Sequence, residues 1–170
     1  MQFAFTDEQE LLRREAREAL ANGGAPWTRE EQLATLALEA VGIAAKALEL
    51  SVEYAKSREQ FGRPIGVYQA VSHQLVDTYV ETELARSLAY WAAWTVDQGD
   101  EQAPVAVAAA KSYAADAAVV ACERAIQVHG GIGFSWEHVL HTYYKRALAI
   151  QAFGGYGATH RALVAAQLLD

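Results

Sequence analysis

Ser57 to Gly66 reads SREQFGRPIG. A long apolar-periodic segment runs into this stretch and another runs out of it, while Gly62, Pro64 and Gly66 interrupt the helical pattern in quick succession. That punctuation predicts a corner between two long helices. The corner holds two cations, Arg58 and Arg63, one carboxylate, Glu59, and an aromatic ring, Phe61. An arginine offers a planar fork of donors that suits a phosphate, and a phenyl face can stack against a base. The same residues also suit a plain helix–helix corner with a surface ion pair, of the kind common in helical bundles.

Working outward, the periodicity predicts helices on both sides. Thr28 with Glu31 at the third following position forms a capping box, and opens a helix that runs to about Ser57. Its apolar residues occupy more than one face, among them Leu33, Ala37, Val41, Ala44, Leu48 and Val52. At about thirty residues it would be a rod of roughly 45 Å, which demands equally long neighbours. A second rod is expected from about Val67 to Gln98, closed by Gly99, with Val71, Leu75, Tyr79, Leu84, Leu88, Trp91 and Val96 on its buried side. Pro104 suits the first turn of an alanine-rich helix reaching about Val128. His129-Gly130-Gly131 stops it, Ser135 is placed to cap a helix from Trp136 to about Phe153, and a last helix spans about Ala158–Leu169. Before all of these, Thr6 and Gln9 form a capping box for a helix over residues 6–22, halted by Gly23 and Gly24. No alternating strand and no fixed-period repeat is evident. The expected fold is all-α: an up-down four-helix bundle over residues 25–170, preceded by a short N-terminal helix within residues 1–24.

Composition narrows the function. The chain has 170 residues, 52% of them hydrophobic and 21% charged, which suits one domain with a buried core. A net charge of −7 without a basic cluster argues against nucleic-acid binding. The single cysteine, Cys122, argues against disulfides and thiolate metal sites and points to a reducing, cytoplasmic setting. No signal peptide is visible, and no apolar run is read as long enough to span a membrane. His138 and His141, three apart, could share a helix face, but a metal would need a third ligand. The loop HGGIGF follows a helix, not a strand, so it is no dinucleotide fingerprint; its glycines serve either as a helix stop or to bring backbone N–H groups near a ligand. The four tryptophans, Trp27, Trp91, Trp94 and Trp136, are expected to pack rather than to serve as stacking platforms.

Three stretches point further. YAKSREQFGRPIGVYQAVSHQLVD, the later QVHGGIGFSWEH, and the opening MQFAFTDEQELLRREAREAL together resemble the acyl-CoA dehydrogenase family: its C-terminal helical domain and its first helix. The resemblance implies a flavoprotein chemistry, in which FAD takes a hydride from the β-carbon of an acyl-CoA while a glutamate removes the α-proton. It implies that Arg58 contacts the FAD diphosphate, that Phe61 lies near the flavin nucleotide, and that Gln69 is a further contact. Gln127, His129, Gly130 and Gly131 would contact the adenosine end of a neighbouring subunit's FAD. It also implies a homodimer or homotetramer, or a heteromer with a full-length acyl-CoA dehydrogenase subunit through which acyl-CoA would be met.

The chain departs from the family pattern in three ways. It passes from Asn22 through GGAPWT to Thr28, where the family carries a β-domain. The position of the family's catalytic glutamate is Gly154, in FGGYG, and Tyr156 stands where a flavin-contacting threonine follows. The alternative position for the base, in the helix before REQFG, falls on Gln32, with Glu31 one residue away; Glu31 could serve only with a shifted helix start. A glycine cannot remove a proton. The expectation is a subunit without its own catalytic glutamate that supplies FAD contacts and assembly to an oligomer; the alternative is a helical oligomerisation module that has lost flavin. Either way the all-round apolarity of the helix before the corner predicts an oligomer, not a monomer.

Overall fold

A computed structural model describes residues 27–169, together with Leu11, Arg14, Glu15 and Glu18. The expected helix over residues 6–22 lies largely outside the described residues, as do Thr6 and Gln9. Five α-helices follow in the described chain: α1 (Arg29–Ser57), α2 (Gln69–Gln98), α3 (Ala103–His129), α4 (Leu140–Ala152) and α5 (Gly157–Leu169). The architecture is the expected all-α bundle, with three long helices and shorter ones packed along them.

Local signals set the ends. The Thr28 hydroxyl accepts from the Glu31 N–H, and the Glu31 carboxylate accepts from the Thr28 N–H, which closes the capping box at the start of α1. Gly99 ends α2 in the left-handed conformation, with φ +61, and Pro104 sits in the first turn of α3. The start of α4 differs from the expectation. The Ser135 hydroxyl donates to the Ile132 carbonyl instead of capping a helix, and the helix begins only at Leu140. The corner also holds a feature no alternation predicts: a two-residue antiparallel ladder, β1 (Glu59–Gln60) with β2 (Arg63–Pro64). It is too short to show a period of two.

α3 is the axis. It packs against each of the other four helices, and α1 and α2 also pack on one another. Its contact faces are alanine: Ala106, Ala110, Ala114, Ala118, Ala121 and Ala125 are essentially inaccessible. They meet Ala37, Ala40, Ala44 and Ala47 of α1 and Ala85, Ala89 and Ala92 of α2 within one core. Small side chains let helix axes approach to the lower end of the usual 8–10 Å range. By length and apolar composition the segment Ala103–Phe134 does meet the test for a membrane span, contrary to the sequence expectation; 72% of that window is buried inside the bundle, so its apolarity is used in the core.

The same close packing overturns the expected buried face of α2. Thr78, Thr82, Ala85, Ala89, Ala92 and Thr95 are the buried residues. Tyr79 and Leu84 lie outside, and Val71, Leu75, Leu88, Trp91 and Val96 are only half-buried. An interior lined by alanine has no room for tyrosine, so the large side chains turn to the flanks or the outer surface. α1 differs from expectation in the other direction: it exposes no large apolar side chain, being covered by α2, α3 and α4. Bidentate ion pairs tie the layers at their edges, Arg124 to Glu81 and Arg146 to Glu39, with Arg161 bonded to Asp116.

Candidate nucleotide site at one end of the bundle

α1 ends when Arg58 turns extended, its N–H still donating to the Tyr54 carbonyl and its carbonyl accepting from the Ile65 N–H at 2.8 Å. The short ladder then reverses the chain over Phe61 and Gly62, both with positive φ, +53 and +77. Two successive positive φ values define the tight hairpin turn that normally takes Asn-Gly or Gly-Gly. A phenylalanine there is strained, and Phe61 is 91% exposed, so neither its backbone nor its burial stabilises it. Tyr68 supports the tip from behind. Its hydroxyl donates to the Gln60 carbonyl at 3.0 Å, its ring meets Phe61 edge-on at 6.3 Å, and the Arg63 guanidinium lies 5.2 Å above it. Tyr68 is a residue that sequence reasoning missed; its spacing from Phe61 across the hairpin was the available signal. Gln69, exposed, opens α2, whose N-terminus has no side-chain cap. Unpaired N–H groups and the helix dipole make that end positive. The expected surface ion pair is absent among the described residues: Arg58 makes no salt bridge to Glu59 there.

The second half of the motif reaches the same end. The His129 ring stacks on Tyr54 of α1 at 4.4 Å and lies 4.5 Å from His138. Its Nδ1 is 2.8 Å from the Ala125 carbonyl, an acceptor only, so that nitrogen carries the proton and donates. Burial holds the imidazole below its ordinary pKa, with a smaller push in the same direction from His138. His129 is therefore an internal strut, with its side chain turned away from solvent. Gln127 and Gly131 are exposed, and Gly130 is half-buried with φ +63. Nothing lies within 4 Å of a Cβ built on Gly130 or Gly131, so both have free space on that side; the Gly130 N–H is itself committed, donating to the Gln127 and Ile126 carbonyls as it caps α3. Gly133, by contrast, is needed for packing: a Cβ there would sit 2.7 Å from the Ile126 carbonyl oxygen.

His138 and His141 do not share a helix face. His138 precedes α4 and packs on His129, while His141 packs against Trp136. Among the described residues no three metal-ligating side chains gather. The tryptophans also depart from expectation: Trp27, Trp94 and Trp136 are more than half exposed. Lys145 lies 3.9 Å above the Trp136 ring.

The two candidate positions for a base are brought together, but at the other end of α1. Gly154 has φ +71, and a Cβ built on it would lie 2.7 Å from Cδ2 of Leu33. Its carbonyl accepts from Arg29. Glu31 is held in the capping box, and Gln32 donates to the Trp27 carbonyl. Tyr156 is exposed. Nearby, Lys111 and His160 are fully buried, and His160 lacks a partner for either ring nitrogen. Burial lowers the pKa of both, and the Lys111 charge lowers that of His160 further. With 29 residues in α1, the Gly154 end and the Arg58 end are about 40 Å apart.

The chain matches the model of the acyl-CoA dehydrogenase C-terminal domain over residues 30–169. It is 45% identical over 112 residues to acyl-CoA dehydrogenase IpdE2 of Mycobacterium tuberculosis, covering 66% of this chain and 33% of that protein. To acyl-CoA dehydrogenase FadE34 of the same organism it is 44% identical over 141 residues, covering 81% of this chain and 20% of that one. Butyryl-CoA dehydrogenase from Megasphaera elsdenii superposes with a TM-score of 0.79 at 33% identity, covering 83% of this chain and 37% of that one. The Tcur3481-Tcur3483 steroid ACAD G363A variant gives 0.79 at 32% identity, over 85% of this chain and 40% of that one. The chain thus belongs to the acyl-CoA dehydrogenase family, within its C-terminal helical domain. It spans between about a fifth and two fifths of the length of these relatives.

Proposed function

We propose that this chain is a nucleotide-holding and assembly component of an FAD-dependent acyl-CoA dehydrogenase, without a catalytic base of its own. The observation that carries the proposal is the contrast between its ends. Arg58, Phe61 and Gln69 on one side, and Gln127 and Gly131 on the other, stand exposed at one end of the bundle, with half-buried Gly130 beside them. The strained Phe61 is 91% exposed and touches the fold through the edge of Tyr68, and strain of this kind clusters at ligand contacts. These residues fit the adenosine and diphosphate portion of FAD. Bound FAD supplies the hydride acceptor of the reaction. Arg58 would hold the diphosphate through charge-assisted hydrogen bonds, and Phe61 would offer its face to a ring of the nucleotide.

The base end fits the reaction poorly. Gly154 offers no carboxylate, and Glu31 already accepts a backbone N–H. The separation of about 40 Å along α1 also keeps one chain's two ends from meeting over one substrate. A complete site would therefore draw on a second chain, either another copy or a full-length acyl-CoA dehydrogenase subunit that brings the acyl-CoA and the base. PigA, a structural neighbour at 32% identity with a TM-score of 0.76, is described with FAD and proline, and relatives of this fold named as acyl-CoA dehydrogenases support the substrate class. The cytoplasm suits a chain whose one cysteine is reduced and buried.

The test is spectral and kinetic. The purified protein, alone or mixed with a full-length relative, should retain bound FAD, and alone it should not turn over butyryl-CoA or octanoyl-CoA with an artificial electron acceptor. Turnover by the isolated chain, abolished by Glu31→Gln, would assign the base to Glu31. A colourless protein in both settings would favour a module that has lost flavin.

A further inference from the structure

α5 is held lightly. Its main packing is against α3, and of its 13 residues only Gly157 and His160 are buried. His160, at 1% exposure, is the one side chain with which α5 enters the core. It is a poorly matched anchor, because neither ring nitrogen has a hydrogen-bond partner among the described residues. The Gly155 carbonyl lies near the ring and favours its charged form, but makes no hydrogen bond of good geometry. The side-chain charges that act on the ring are both positive. One is Lys111 of α3, itself 1% exposed and without an ion pair among the described residues; the other is Arg29 at the start of α1. No charge on α2 or α4 acts on it. His160 also lies in the first turn of α5, its N–H donating to the Tyr156 carbonyl, where the helix dipole is positive. Asp116, the carboxylate that acts on Lys111, is already bonded to Gln151 and Arg161. The other polar ties of α5 to α3 are Arg161 to Ser112 and Ser112 to the Gly157 carbonyl, the latter at 3.4 Å.

We infer that α5 is a pH-sensitive strap: protonation of His160 adds a third cation beside Lys111 and Arg29 and drives the helix off α3. Burial, and after it the Lys111 charge, hold the imidazole below its ordinary value of 6.5. The docked helix therefore favours the neutral ring, and the released helix, its ring in water, accepts a proton more readily. Docking is intact above pH 6.5 and weakens as the pH falls toward the value of the docked ring. When the strap lifts, a groove of about 510 Å³ between α2, α3 and α5 opens, because Arg161 and Val164 of its lining leave with α5, and Ala109, Tyr113 and Val120 are uncovered. Neither FAD nor a partner chain enters this step.

Amide hydrogen exchange of the full chain, corrected for the intrinsic effect of pH on exchange, reads the opening of α5 directly. Between pH 7.5 and pH 5.5 the opening equilibrium over residues 158–169 should rise about 3–10-fold, tenfold being the ceiling for one proton taken up by an ordinary imidazole. The amides of α3 should keep their protection. In the same unaltered protein the His160 ring resonances should titrate in step with the opening. His160→Gln, which carries no titrating group, should remove the rise. Lys111→Met should reduce it without abolishing it, since burial alone still disfavours the charged ring. Equal opening at the two pH values, a rise that survives His160→Gln, or ring resonances that titrate without any opening would overturn the inference. So would a rise abolished outright by Lys111→Met, which would make the lysine the titrating group. A rise shared equally by α3 would also overturn it, by tracing the effect to global unfolding, in which the buried His129 takes part.

Discussion

The two ends of α1 were built from similar materials and reached different outcomes. Each joins a turn with positive-φ residues to an arginine and to a loop from a distant part of the chain. At the Arg58 end the turn projects outward, Phe61 is almost fully exposed, and nothing crowds a Cβ at Gly130 or Gly131. At the Arg29 end the turn folds inward: the guanidinium bonds the Gly154 carbonyl, Leu33 fills the space a side chain would need, and Glu31 is committed to the helix cap. The two ends thus differ in packing: a Cβ at Gly154 would meet the flexible Cδ2 tip of Leu33, whereas the Phe61 turn stands out into solvent at a local cost in strain.

The contrast breaks most sharply at glycines. Gly133→Ala should cost the most, about 2–4 kcal/mol, because its Cβ would press on the backbone of Ile126, which cannot step aside. Gly131→Ala, a few residues away with open space around it, should leave stability within about 0.5 kcal/mol, yet weaken nucleotide binding if that backbone approaches the ligand. Urea unfolding of the two variants beside ADP titration separates the roles. At the other end, Gly154→Glu should cost about 1–3 kcal/mol, from the left-handed φ and the displaced Leu33, and should not confer turnover. A stable, active Gly154→Glu protein would show that this end is open after all. The smallest effect has the opposite sign. Phe61→Asn should raise stability by about 0.5–1 kcal/mol, since asparagine accepts the left-handed turn more readily, while reducing nucleotide affinity. Loss of stability on that change would mean that Phe61 is held by packing and is not presented for a ligand.

Much of this contrast was legible in the sequence, and the exceptions share a cause. Thr28 with Glu31, Gly99 and Pro104 announced their helix boundaries because capping and turn chemistry is local. SREQFG marked the corner after α1, and QVHGG the end of α3, for the same reason. The packing of α2 was not legible: hydrophobicity ranks Tyr79 and Leu84 as core residues, but in an alanine-lined interior size decides, and Thr78 and Ala85 take the inner face. The apolar excess expected to demand a partner was assigned to α1, whereas the structure leaves it on α2. His129 was legible as part of a motif, but its inward ring, stacked on Tyr54, depends on a tertiary contact 75 residues away. Tyr68 behind Phe61 and the closure of Gly154 by Leu33 are likewise products of the fold.

The most direct test of the account is calorimetric titration of ADP into the wild-type protein and into Arg58→Ala, with melting temperatures measured on the same samples. Arg58 sits at an exposed corner without a salt bridge to Glu59, so its removal should leave the melting temperature unchanged. Its hydrogen bonds to a diphosphate are charge-assisted, and losing them should weaken ADP by at least about 10-fold. Equal ADP affinity in the two proteins, together with a lower melting temperature in the variant, would contradict the account and make the corner purely structural.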